Sequence, residues 1–255
     1  LGVAGAALAS LLSVAAGTAL LGVYFTRLET YVGFHREQWV PRFGVWRRML
    51  AIGLPAGGEF VLMFLVTSVV YLIIRDFGAA AQAGFGVGAR VMQAIFMPAM
   101  AIAFACSPIA GQNFGAGNAQ RVRETLRTAL IMSAVMMGIL TLLCQIRPGW
   151  LISGFSSDPQ VWAFGTTYLQ MTSWNFVVTG IVFTCSSVFQ AIGNTVPSLL
   201  SSATRVVSFV LPAIWLSRQP GFYIEQVWYL SVVTVALQAL LSLWQDSGAV
   251  QGGHL

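Results

Sequence analysis

Seven apolar stretches, near residues 2–25, 51–74, 91–110, 128–146, 161–189, 198–217 and 223–244, follow one another with little chain between them. A helix needs about 20 mostly apolar residues to cross a ~30 Å hydrocarbon core, and inside lipid the backbone N–H and C=O groups must be satisfied within the segment. The spacing therefore predicts an all-α integral membrane protein with seven transmembrane helices. Only 8% of the residues are charged, against about a quarter in a soluble domain, so lipid is the solvent for most of the chain. The connecting loops are too short for a soluble catalytic domain. No stretch carries a Ser/His/Asp arrangement, an HExxH sequence or paired acids, so the chain is not expected to be an enzyme.

All 13 positively charged residues are arginine, and the formal net charge is +5. Topology accounts for this excess before nucleic acid does, because basic residues concentrate in the cytoplasmic loops of membrane proteins. Arg27, Arg36, Arg42, Arg47 and Arg48 follow the first stretch, and Arg121, Arg123 and Arg127 follow the third. The opposite loops hold Arg75, Arg90, Arg147 and Arg218, with Arg205 inside a helix. This asymmetry predicts a chain that starts outside and ends in the cytoplasm, in a plasma (bacterial inner) membrane, with no nucleic-acid partner. Residues 26–50, with Phe34, Trp39, Phe43 and Trp46 among the charges, are expected either to lie along the membrane surface or to form a solvated loop. The start at Leu1, without a basic leader, reads as a fragment. Cys106, Cys144 and Cys185 lie in apolar stretches, and His35 and His254 in a loop and the tail, so neither a disulfide framework nor a metal site is expected.

Proline falls within the spans at Pro55, Pro98, Pro108 and Pro212. Each removes a backbone donor and frees a carbonyl, so kinks are expected there. After the third stretch the chain reads Ser107-Pro-Ile-Ala-Gly-Gln-Asn-Phe-Gly-Ala-Gly-Asn118. Here Gly111, Gly115 and Gly117 are expected to supply positive-φ positions and Gln112 and Asn113 to satisfy freed carbonyls. A phosphate-binding loop would need a Gly-Lys-Ser or Gly-Lys-Thr end, and the chain has no lysine.

This segment resembles the GQxxGAxx signature of the multidrug and toxin extrusion (MATE) family. Gly53-Leu-Pro-Ala-Gly57 and Gln190-Ala-Ile-Gly-Asn-Thr-Val-Pro197 agree with it in order and separation. Arg205 followed by Pro212 looks like the Arg and Pro often carried on the family's eleventh helix. The resemblance implies two six-helix lobes, of which this chain holds helices six to twelve. Residues 1–25 would then be the last helix of the N-terminal lobe, 26–50 a cytoplasmic interlobe linker, 51–244 the C-terminal six-helix lobe and 245–255 a cytoplasmic tail. The partners implied are the lipid bilayer, small-molecule organic cations or drugs, and the missing N-terminal lobe of the same protein.

An ionisable residue inside the membrane is a functional hypothesis by default. Glu59, about eight residues into the second stretch, could exchange a proton or pair with sodium or a cationic substrate; it could also face water or bond a neighbouring helix. Family members with an acid on this helix carry it where Met63 stands, one turn later. The stretch 161–189 has no acid and offers Gln170, Thr172, Ser173, Asn175 and Thr179. Helical spacing sets Glu59 beside Met63 and Gln93 beside Met97. Phe60, Phe64, Phe96, Trp174 and the methionines could line a cavity for flat lipophilic cations. Arg205 could snorkel to headgroups or pair with a carboxylate across the bundle.

The candidate binding residues are thus Glu59, Met63, Gln93 and Asn175, beside the structural motif residues Pro55, Pro98, Gly111, Gln112, Gly115, Gly117 and Arg205. The expected function is multidrug efflux by alternating access, with a proton or sodium as coupling ion and no cofactor. A flippase for lipid-linked precursors and a seven-helix receptor are the alternatives.

Overall fold

In a computed structural model, residues 2–28, 40 and 42–251 of the chain are described. Their regular structure is helical: α1 (Gly2–Leu28), α2 (Phe43–Ile74), α3 (Ala79–Gly115), α4 (Ala119–Ile146), the short α5 (Pro148–Ser153), α6 (Pro159–Thr172), α7 (Asn175–Ala191), α8 (Val196–Ser217) and α9 (Glu225–Gln251). Among them, 6 helices are long and apolar enough to cross a membrane, or 7 if α6 and α7 form one bent span. Residues 1–48 and 49–255 separate into two compact units.

In the first unit, α1 leaves Leu11, Leu12, Leu20 and Leu21 exposed. The predicted linker 26–50 lies partly outside the described residues, as do His35 and His254. Its last residues are helical, since α2 begins at Phe43 rather than near 51. Arg47 and Arg48 end an apolar run but not a helix, because arginine is a good helix former. At its other end the second unit likewise departs from expectation: α9 continues through Gln251, beyond the predicted span end at 244 and into the predicted tail.

Within the second unit α3 is the hub, packing against α4, α6 and α7, while α8 packs on α9. It starts at Ala79, twelve residues before the predicted 91, so Arg90 lies within a helix and not in a loop. The added turns are rich in alanine and glycine, too weakly apolar to register as a span. They are held by close packing: Gly88 faces Tyr168 of α6 so tightly that a Cβ there would sit 2.4 Å from the ring carbon Cδ1. One core cluster joins Ile74, Phe85, Tyr168, Phe209 and Trp228; a second joins Ile95, Met137, Leu169 and Phe176. Pro55, Pro98, Pro108 and Pro212 all lie inside helices that continue past them.

The stretch 161–189 is not one helix. It breaks at Ser173–Trp174, where α6 and α7 meet with a 57° bend, and no proline causes it. The Gln170 carbonyl, which a continuous helix would give to the Trp174 N–H, accepts instead from Gln145 Nε2 at 2.8 Å and Ser173 Oγ at 2.9 Å. Gln145 Nε2 also donates to Ser173 Oγ at 2.9 Å, and the Ser173 carbonyl receives Thr141 Oγ1 at 3.1 Å. Two side chains of α4 thus add donors to the carbonyls at the break, beside Phe176 N–H on the Ser173 carbonyl and Ser173 Oγ on that of Gln170. Gln145→Leu removes both amide bonds and leaves the Gln170 carbonyl with Ser173 Oγ alone, a loss of about 1 kcal/mol. A drop in the melting temperature of the purified protein would register it, and an unchanged melting curve would show that the break needs no support from α4.

Candidate functional site

The three motif segments converge where α3 and α7 end. Both helices close with the same hydrogen-bond pattern. Asn118 N–H donates to Asn113 O at 2.9 Å and Gly117 N–H to Phe114 O at 2.9 Å; Asn194 N–H donates to Phe189 O at 3.0 Å and Gly193 N–H to Gln190 O at 3.1 Å. Such a closure requires a left-handed residue after the helix, and Gly117 (φ 72°) and Gly193 (φ 77°) occupy it. The expectation for the other two glycines is corrected: Gly111 and Gly115 are helical residues of α3. A Cβ on Gly111 would lie 3.4 Å from the Ala191 carbonyl oxygen, so that glycine permits the approach of α7. Gln112 contributes its backbone carbonyl, accepting from Ala116 N–H at 3.0 Å, and Asn113 Nδ2 donates to Ile109 O at 2.8 Å. Thr195 Oγ1 donates to Ile52 O at 3.0 Å, tying the third segment to the turn before Pro55.

One turn beyond Pro55, half-buried Glu59 reaches α7. Ser186 Oγ donates to its Oε2 at 2.9 Å, with Oε1 at 3.2 Å. Ser186 in turn accepts from Ser198 Oγ of α8 at 3.0 Å and from Gln190 Nε2 at 3.4 Å. A hydroxyl has one proton to give and two lone pairs, so Ser186 can send its donor only to the carboxylate while it accepts from both others. The arrangement is a directed chain, Ser198 to Ser186 to Glu59, spanning α8, α7 and α2. Such a group can hold a proton or a small cation, or release one, within a hydroxyl-lined setting.

The other predicted binding residues do not join it. Met63 and Gln93 are exposed. Asn175 is buried at the start of α7, where Nδ2 donates to Ser231 Oγ at 3.2 Å and Oδ1 has no partner. It stands eleven residues from Ser186 on the same helix, about 16 Å along the axis. Phe60, Phe64, Met97 and Trp174 are exposed as well, so they do not line a cavity within the unit.

The aromatic residues that do cluster inside are Phe85, Tyr168 and Trp228. Ring centroids are 5.0 Å apart for Phe85 and Tyr168 and 4.8 Å for Tyr168 and Trp228, both edge to face. Tyr168 Oη donates to Met92 Sδ at 2.9 Å. The Nε of Arg205 on α8 is buried without a hydrogen-bond partner. Sequence reasoning missed Ser186, Ser198 and Tyr168 because serine and tyrosine in membrane helices carry no periodic signal of which partner they meet.

The sequence profile of the MatE family matches residues 55–216. A probable multidrug resistance protein of Bacillus subtilis, YpnP, is 28% identical over 232 residues, covering 89% of this chain and 49% of the relative. The multidrug export protein MepA of Staphylococcus haemolyticus is 27% identical, covering 76% of this chain and 43% of the relative. The chain spans about half the length of these relatives. Among solved structures, an outward-facing multidrug resistance MATE family transporter superposes with a TM-score of 0.89 at 20% identity, over 99% of this chain and 57% of that one.

Proposed function

The chain belongs to the MatE family of multi-pass membrane transporters, and from that premise we propose that it forms the C-terminal part of an efflux antiporter that exports lipophilic or cationic compounds in exchange for protons or sodium. The observation that carries the exchange reading is the Ser198–Ser186–Glu59 chain, which seats a carboxylate of a membrane span among hydroxyls at the junction of three helices. The efflux reading is supported by the names of YpnP and MepA as multidrug proteins.

In this reading α1 is the last helix of a preceding lobe, the substrate site lies between the lobes, and transport proceeds by alternating access. Glu59 binds the coupling ion, and its release from the hydroxyl chain accompanies the change of access. The excess of arginine in alternate loops supports a cytoplasmic C-terminus in the plasma membrane.

The test uses the whole natural protein in energised vesicles, with ethidium as the probe. Ethidium efflux should stop when either the proton gradient or the sodium gradient is collapsed with a selective ionophore. Efflux that persists after both gradients are gone would rule out ion exchange.

A further inference from the structure

Arg205 stands nine residues after the first residue of α8, about 13–14 Å along the axis at 1.5 Å per residue. That depth approaches the middle of a ~30 Å hydrocarbon core. An arginine held there is costly and requires a counter-charge or a dense set of acceptors. Neither is supplied by the described residues: the ion pair they contain, Arg75 with Asp76, is exposed and remote in sequence. Glu59 accepts from Ser186, whose other partner Ser198 lies two turns before Arg205 on α8. Those two turns amount to about 10 Å along the helix.

The Nε of the Arg205 guanidinium is nevertheless buried and unpartnered. The residue as a whole keeps partial exposure, which leaves a way in for a ligand. A planar fork of donors in low dielectric is matched best by an oxyanion, which it binds through two parallel charge-assisted hydrogen bonds.

We propose that Arg205 is the counter-charge of an anion-binding site inside the six-helix unit, taking the carboxylate, phosphate or sulfonate of an amphipathic molecule. This site is opposite in charge to the one at Glu59 and stands independently of the antiport reading. Its ligand is either a free organic anion or the headgroup of an anionic lipid.

The experiment uses the full natural protein in nanodiscs of phosphatidylcholine. Binding of 1-naphthalenesulfonate is read by energy transfer from tryptophan, with 1-naphthylmethylammonium as the cationic control. The sulfonate should bind saturably, and Arg205→Gln should weaken it about tenfold or more, as loss of a charge-assisted hydrogen bond implies. Arg205→Lys, which keeps the charge but loses the fork, should weaken it less, and the cationic control should not respond to either change. Equal sulfonate binding by Arg205→Gln, or no saturable binding to the unaltered protein, overturns the proposal. Should Arg205→Gln fail to fold, the unaltered protein decides: the sulfonate must bind about tenfold more tightly than the ammonium probe, and equal or reversed affinity is fatal. Addition of phosphatidylglycerol separates the two sources. Displacement of the sulfonate assigns the site to lipid headgroups, and retention assigns it to free organic anions; either result supports the site.

Discussion

Replacing Glu59 by Gln should lower gradient-driven efflux of a lipophilic cation by at least about tenfold while leaving membrane insertion intact. Gln keeps the volume of the side chain and one acceptor for Ser186 Oγ, which now lies 2.9 Å from Oε2. What it loses is the negative charge and the site for an exchangeable proton. The stability cost is limited to the difference between a charged and a neutral acceptor, about 1 kcal/mol. Efflux and thermal stability therefore respond differently if the carboxylate carries the exchange, and together if it only holds α2 to α7. Efflux at the normal rate in the Glu59→Gln protein would remove the residue from the mechanism. Ser186→Ala provides a graded control, because it takes the donor from Glu59 and an acceptor from Ser198 and Gln190 but leaves the charge.

Gly88→Leu should cost about 3 kcal/mol or more, through overpacking rather than any loss of contact. A Cβ at this position would meet Tyr168 Cδ1 at 2.4 Å and Cε1 at 2.8 Å. The ring has nowhere to go: Phe85 and Trp228 flank it with centroids at 5.0 and 4.8 Å, and its hydroxyl is bonded to Met92 Sδ at 2.9 Å. At about 2–4 °C per kcal/mol for a chain of this size, the melting temperature should fall by roughly 10 °C. Combining Gly88→Leu with Tyr168→Ala tests the cause, because the truncated side chain makes room. The pair should be less damaging than the sum of the single changes by about 1–3 kcal/mol. Strict additivity would mean that the glycine is needed for something other than the approach of α3 to α6.

Membrane character and approximate span positions were legible in the residues, because transfer into lipid is a sum of local terms that a window along the chain captures. The turn after α3 was legible too, since a left-handed residue has a local steric requirement, although the glycine that meets it is Gly117 (φ 72°), while Gly111 and Gly115 are helical.

Tertiary structure alone decided how far each helix runs, where it breaks and what each polar group meets. The Gly88 turn of α3 is too weakly apolar to register as a span, yet it is helical and packs closely against the Tyr168 ring. The break at Ser173–Trp174 depends on Gln145, 28 residues away in sequence from Ser173. The partner of Glu59 is Ser186, 127 residues away, while Arg205 Nε finds none among the described residues. Hydropathy belongs to a residue and adds along the chain, whereas a hydrogen bond or a close approach belongs to a pair and exists only where folding brings that pair together.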